Sequence, residues 1–92
     1  MKTINLQDYA PIISDNNSGE EILNEILESL KTNEVICINM NGIKSMATFS
    51  AKQIFGKLYL DLGPEKFFDR IEIINASDNI KTIIRIGIEG VL

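Results

Sequence analysis

An α/β fold is predicted, with a mixed, mostly parallel sheet of about four strands and about three helices in the order ββαβαβα. Three observations carry that expectation. Ile22, Leu23, Ile26, Leu27 and Leu30 recur at three- and four-residue steps, leaving Glu20, Glu21, Asn24, Glu25 and Glu28 outside; this is the pattern of an amphipathic helix. Val35, Ile36, Cys37 and Ile38 form an unbroken apolar run, as expected of a strand covered on both faces. Ile71, Ile73 and Ile74 make a second such strand, and a helix-periodic stretch follows it. The 92 residues fit a single domain, 1–92.

Taken in order, residues 3–6 alternate as a short strand. Residues 9–13 suggest a second, with Pro11 placing it at an edge. Residues 14–19 are a polar loop. Ser18 and Glu21 have capping-box spacing, so Ser18 is expected to open the first helix. After the Val35 run, Asn41-Gly42 reads either as a hairpin turn leading to a return strand at 43–46 or as an exit into a helix. Helical periodicity resumes within a few residues and favours strand–turn–helix. The second helix is expected over residues 49–62, with Ala51, Ile54, Phe55, Leu58, Tyr59 and Leu62 inward and Gly63-Pro64 as its end. Ser77 or Asp78 caps a last helix carrying Ile80, Ile83, Ile84, Gly87, Ile88 and Val91. Its isoleucines would suit a strand, but their spacing is helical. A broad isoleucine face there would also suit a homodimer contact.

Composition removes several function classes. The net charge is −4 and there is no basic run, which argues against nucleic-acid binding. With no histidine and one cysteine, imidazole bases, Ser-His-Asp triads, phosphohistidine relay and structural zinc are excluded. Cys37 reads as a small buried hydrophobe. Glu20, Glu21, Glu25 and Glu28 form a solvated helix face, and Asp61, Glu65, Asp69 and Glu72 lack calcium-loop spacing. No apolar run approaches the ~20 residues of a membrane span, and residues 1–8 lack a signal-peptide core. The expectation is a cytoplasmic, non-enzymatic protein with no cofactor, metal, nucleic-acid or membrane partner.

The candidate site is the segment 42–50 with the start of the second helix. A strand, a glycine turn and small hydroxyl residues bring N–H groups and alcohols to a helix N-terminus, where anions are stabilised. Ser45, Thr48 and Ser50 are the phosphoacceptor or partner-docking candidates; each hydroxyl could equally serve as a helix cap. Gly42, Lys44, Phe49 and Lys52 complete a docking surface. A phosphoryl group there would add about −1.5 to −2 charge and could release a partner without refolding. The alternative is a small anionic ligand such as a nucleotide at the same helix N-terminus, although no P-loop or G-x-G-x-x-G pattern is present.

Several blocks carry a family resemblance. They are Ser18-Gly19-Glu20-Glu21, the strand from Val35 to Ile43, Phe55-Gly56-Lys57-Leu58 followed by Leu62-Gly63 and Phe67, and Ile71-Glu72-Ile73-Ile74-Asn75. On these the chain, from Ile4 to Val91, resembles the STAS-like domains of unknown function, relatives of the sulfate-transporter and anti-sigma-factor-antagonist domain. The resemblance implies a small STAS-like sandwich and a bacterial-type signalling role as a regulatory, protein-interaction module. It also implies a histidine-kinase-like ATPase or serine kinase as partner. The antagonists' Asp-Ser-Ser-Gly phosphorylation sequence aligns with Ala47-Thr48-Phe49-Ser50, which lacks the aspartate and glycine. Phe49-Ser50-Ala51-Lys52-Gln53 lacks the acids of the Ser-Phe-Ala-Asp-Glu sequence usual in the STAS-like group.

Overall fold

The computed structural model describes residues 1–92. Its strands are β1 (Lys2–Asn5), β2 (Ile12–Ile13), β3 (Ile36–Asn39), β4 (Ser45–Met46) and β5 (Ile71–Ile74). Its helices are α1 (Asn16–Leu30), α2 (48–62), α3 (Pro64–Arg70) and α4 (Asp78–Glu89), and a short 3₁₀ turn spans Gln7–Tyr9. The order is therefore ββαββααβα. The predicted ββαβαβα lacked β4 and α3.

The sheet is also divided differently from the single mixed sheet expected. β3 lies between β1 and β5, all parallel, with Ile4, Ile38 and Ile73 in one register row and Thr3, Cys37 and Glu72 in the next. β2 and β4 make a separate parallel pair. No antiparallel pair forms, because each connection between paired strands carries a helix across. Alternation sends Ile4, Ile36, Ile38 and Ile71 into the core. Thr3 and Glu72 stay exposed on the other side, so that face is uncovered. Within β3 itself Ile36, Cys37 and Ile38 are all buried, as read from the Val35 run, but the sheet as a whole is not covered on both faces.

Helix α1 is capped by Asp15, not Ser18. The Asp15 carboxylate accepts the Ser18 N–H at 2.6 Å and the Ser18 hydroxyl at 3.0 Å. Glu21, expected to complete the capping box, instead accepts from the Tyr9 hydroxyl at 3.2 Å. Starting the helix at Asn16 puts Gly19 on the buried face with Ile22, Ile26 and Ser29. A Cβ at Gly19 would fall on the Gln53 side-chain amide, which would have to move to admit it. At the other end, the Arg70 guanidinium donates to the carbonyls of Leu30 (2.8 Å), Asn33 (3.0 Å) and Glu34 (2.9 Å). These are carbonyls that a helix end and its exit leave without local partners.

Helix α2 is not uniform. α-Helical turns at Thr48–Ala51 and Lys57–Leu62 flank a π-helical stretch at Lys52–Gly56. That stretch faces α4 at very close range: a Cβ on Gly87 would lie 2.6 Å from the Ala51 carbonyl carbon and 2.7 Å from the Lys52 nitrogen. Gly56 is also crowded, its Cβ position lying 2.9 Å from Val91 Cγ1 and 3.0 Å from the Gly87 carbonyl oxygen. Gly63 ends α2 as predicted, but with φ 81° and ψ 164° it adopts an extended mirror conformation open to glycine. Pro64 then begins α3 instead of merely stopping a helix, since proline suits the first helical position. α3 buries Phe67, whose ring lies 5.5 Å from that of Tyr59. In α4, Ser77 is the cap, accepting from the Ile80 N–H at 3.2 Å, and the helical reading of the isoleucine-rich run holds. Ile80 and Ile84 are buried, whereas Ile86 is 44% exposed.

Candidate functional site

The segment joining β3 to α2 is pinned to the body of the domain. Met40 donates its N–H to Ile74 O, and Ile43 closes a turn back to Met40 O at 3.0 Å. Gly42 sits in that turn with φ 85°, a left-handed conformation that side chains resist. Lys44 N–H reaches Pro11 O at 2.8 Å and Ala47 N–H reaches Ile13 O at 2.8 Å. The return strand at 43–46 thus exists in shortened form as β4. It runs parallel to β2 and is not folded back on β3, so the chain enters α2 from a parallel pair.

The three hydroxyl candidates do not converge. Ser45 is half-buried on β4, Thr48 is exposed in the first turn of α2, and Ser50 is fully buried with no hydrogen-bond partner for its hydroxyl. None of them is the cap of α2. That position is held by Ala47, which offers no side-chain acceptor. The Ser50 and Ala51 N–H groups turn back to Ala47 O at 3.0 and 3.1 Å. Of the trio, Thr48 alone is exposed, and three of the other docking candidates lie near it in the sequence and are exposed as well. Phe49 is 54% exposed, and Lys44 and Lys52 are exposed on either side in sequence.

The structure adds residues that sequence reasoning left in the core or ignored. Phe49 and Lys52 form one end of an open groove of about 540 Å³ between α1 and α2, shared with Leu23, Lys57, Leu60 and Val91. At its edge the Gln53 amide donates to the backbone carbonyl and side-chain oxygen of Asn16, each at 3.0 Å. Leu60 was the available signal, being an apolar residue of α2 outside the inward stripe, and it is 56% exposed.

A second polar feature lies at the carboxyl ends of the three-stranded sheet. Asn39 donates to Asn5 at 2.8 Å and accepts from Asn75 at 2.9 Å, linking all three strands. Asn75 has φ 58°, a conformation asparagine tolerates. No group of three or more His, Cys, Asp or Glu side chains is arranged to hold a metal ion. No helix is long and apolar enough to cross a membrane.

Neither the curated proteins nor the solved structures contain a match to this chain. A family model does match, over residues 18–81, from the first turn of α1 into α4. It describes a STAS-like domain of unknown function (DUF4325). β3 with its exit, the α2–α3 unit and β5 all fall within that span, with β1 and β2 preceding it, and the chain belongs to this family of STAS-like domains.

Proposed function

We infer that this domain is a cytoplasmic, non-enzymatic regulatory module that docks a protein partner through the loop 42–50 and the second helix. One observation carries the reading: an exposed phenylalanine, Phe49, is flanked by two exposed lysines on a segment tied at both ends by backbone hydrogen bonds. A rigid aromatic anchor with charged neighbours loses little conformational freedom on binding and is a common interface hot spot. Family membership supports a regulatory role, and the resemblance to anti-sigma-factor antagonists suggests a histidine-kinase-like ATPase or serine kinase as partner.

Thr48 is the phosphoacceptor of choice because it is exposed beside Phe49. A phosphoryl group there would place negative charge at the centre of the contact and release the partner. The test is capture of the partner from the native host, followed by affinity measurement with Lys44→Glu, Phe49→Ala and Thr48→Glu. Each variant is expected to weaken binding at least tenfold, or about 1.4 kcal/mol. The absence of any partner, or an affinity indifferent to all three changes, would sink this reading.

A further inference from the structure

We propose that the groove between α1 and α2 receives an acidic amphipathic helix of the partner. The inference rests on the docking reading above and extends it from the loop to a defined cleft and ligand chemistry.

The groove has an apolar floor made by Leu23, Phe49, Leu60 and Val91. Two of these residues, Phe49 and Leu60, remain more than half exposed, leaving apolar surface in water that a partner would cover. Phe49 and Leu60 are eleven residues apart on α2, so the floor runs for roughly 16 Å at 1.5 Å per residue. That is the length of about three turns of a docked helix, enough for anchors at positions i, i+3 or i+4, and i+7. A cleft between two neighbouring helices is also the shape into which a third helix packs.

Charge selects the occupant. The protein as a whole is acidic, at −4, yet no carboxylate lines this groove, and both of its ionisable residues are the cations Lys52 and Lys57. Lys57 pairs with Asp61 at 3.3 Å across an exposed i,i+4 contact, which is weak. Lys52 has no ion-pair partner. The α1 acids near Leu23 in sequence, Glu20, Glu21 and Glu25, do not line the groove, and Glu20 and Glu21 border a different surface with Asn17 and Asn24. A segment with a leucine-like face flanked by Asp or Glu would therefore meet apolar floor and positive rim together, whereas a basic segment would be repelled.

The experiment is selection of helical peptides of roughly 14 residues from a displayed random library against the whole domain. Affinities of the selected peptides are then measured, with backbone-amide NMR mapping. Enriched sequences are expected to carry apolar residues at i, i+3 or i+4, and i+7 with flanking Asp or Glu. Their resonance shifts should centre on Leu23, Phe49, Leu60 and Val91. Binding should weaken at least tenfold in Leu60→Ser and in the double variant Lys52→Glu/Lys57→Glu. All three positions are exposed, and circular dichroism verifies that the variants remain folded.

Failure to enrich any peptide, a basic consensus, or unchanged affinity in the charge-reversed variant would overturn the proposal. So would decanoate perturbing the groove when no peptide does, since the site would then suit a small apolar anion. A natural partner that senses Lys44→Glu but ignores Leu60→Ser and Lys57→Glu would reject the groove while leaving loop docking intact.

Discussion

A buried alcohol without a partner gives up its hydrogen bonds to water and gains none in return. Ser50 is such a residue, fully buried on α2 with its hydroxyl unpaired. Ser50→Ala is therefore expected to stabilise the domain by about 1 kcal/mol, measured as a higher urea midpoint at unchanged slope. A loss of stability would show that the hydroxyl has a partner after all. In the sequence Ser50 and Thr48 are equivalent, two small hydroxyl residues at the start of a helix. Residues two positions apart on a helix are separated by about 200° around its axis, so one faces inward when the other faces out. Which one faces inward depends on what α2 packs against.

At the scale of elements, the contact between α2 and α4 shows sterics overriding local preference. Alanine is favoured over glycine inside a helix by ~1 kcal/mol, so Gly87 looks replaceable on propensity alone. Its Cβ position, however, falls within 2.8 Å of three α2 atoms, two of them backbone. Backbone cannot swing aside as a side-chain tip can. Gly87→Ala is expected to destabilise by about 1–3 kcal/mol, the range for overpacking a core. Gly90→Ala is the matched control, because Gly90 is exposed and its nearest neighbours lie at 3.4 Å. Chemical denaturation of the pair decides the matter; equal stability of the two variants would refute the clash. The π-helical stretch at Lys52–Gly56 lies at this same contact, and nothing in the one-dimensional pattern of α2 signals it.

For the whole molecule, the pH dependence of unfolding has two identifiable limbs. The Ser18 backbone N–H, and then the Ser18 hydroxyl, hold the Asp15 carboxyl below its ordinary value of 3.8. Its contribution is present above that value and is lost as pH falls through the lower folded-state value. Tyr9 is shifted upward from 10.0, first by burial and then by its hydrogen bond to Glu21. A phenol with a raised folded-state value contributes below pH 10.0 and loses that contribution as pH rises through the folded value. Urea midpoints measured across pH are expected to drop at both extremes. Asp15→Ala should lower the neutral-pH midpoint and flatten the acid limb; an acid limb identical to that of the unchanged protein would discount the cap.

The amphipathic pattern of α1, the isoleucine periodicity of α4, the Gly63 terminus and the apolar β3 and β5 were legible in the residues themselves. Each depends on spacing along one segment and on local backbone preference. Composition, with no histidine and a single cysteine, also set firm limits on the chemistry available. Tertiary structure decided the rest. Asp15 displaced Ser18 as the cap, its carboxylate accepting from both the Ser18 N–H and the Ser18 hydroxyl. Residues 45–46 paired in parallel with residues 12–13 because their partner lay more than thirty positions back in the chain. Pro64 opened a helix whose Phe67 packs back on Tyr59. The groove on which partner selection would turn combines residues from α1, α2 and the segment after α4. Such a surface arises when distant segments stop side by side, and periodicity within any one of them cannot encode it.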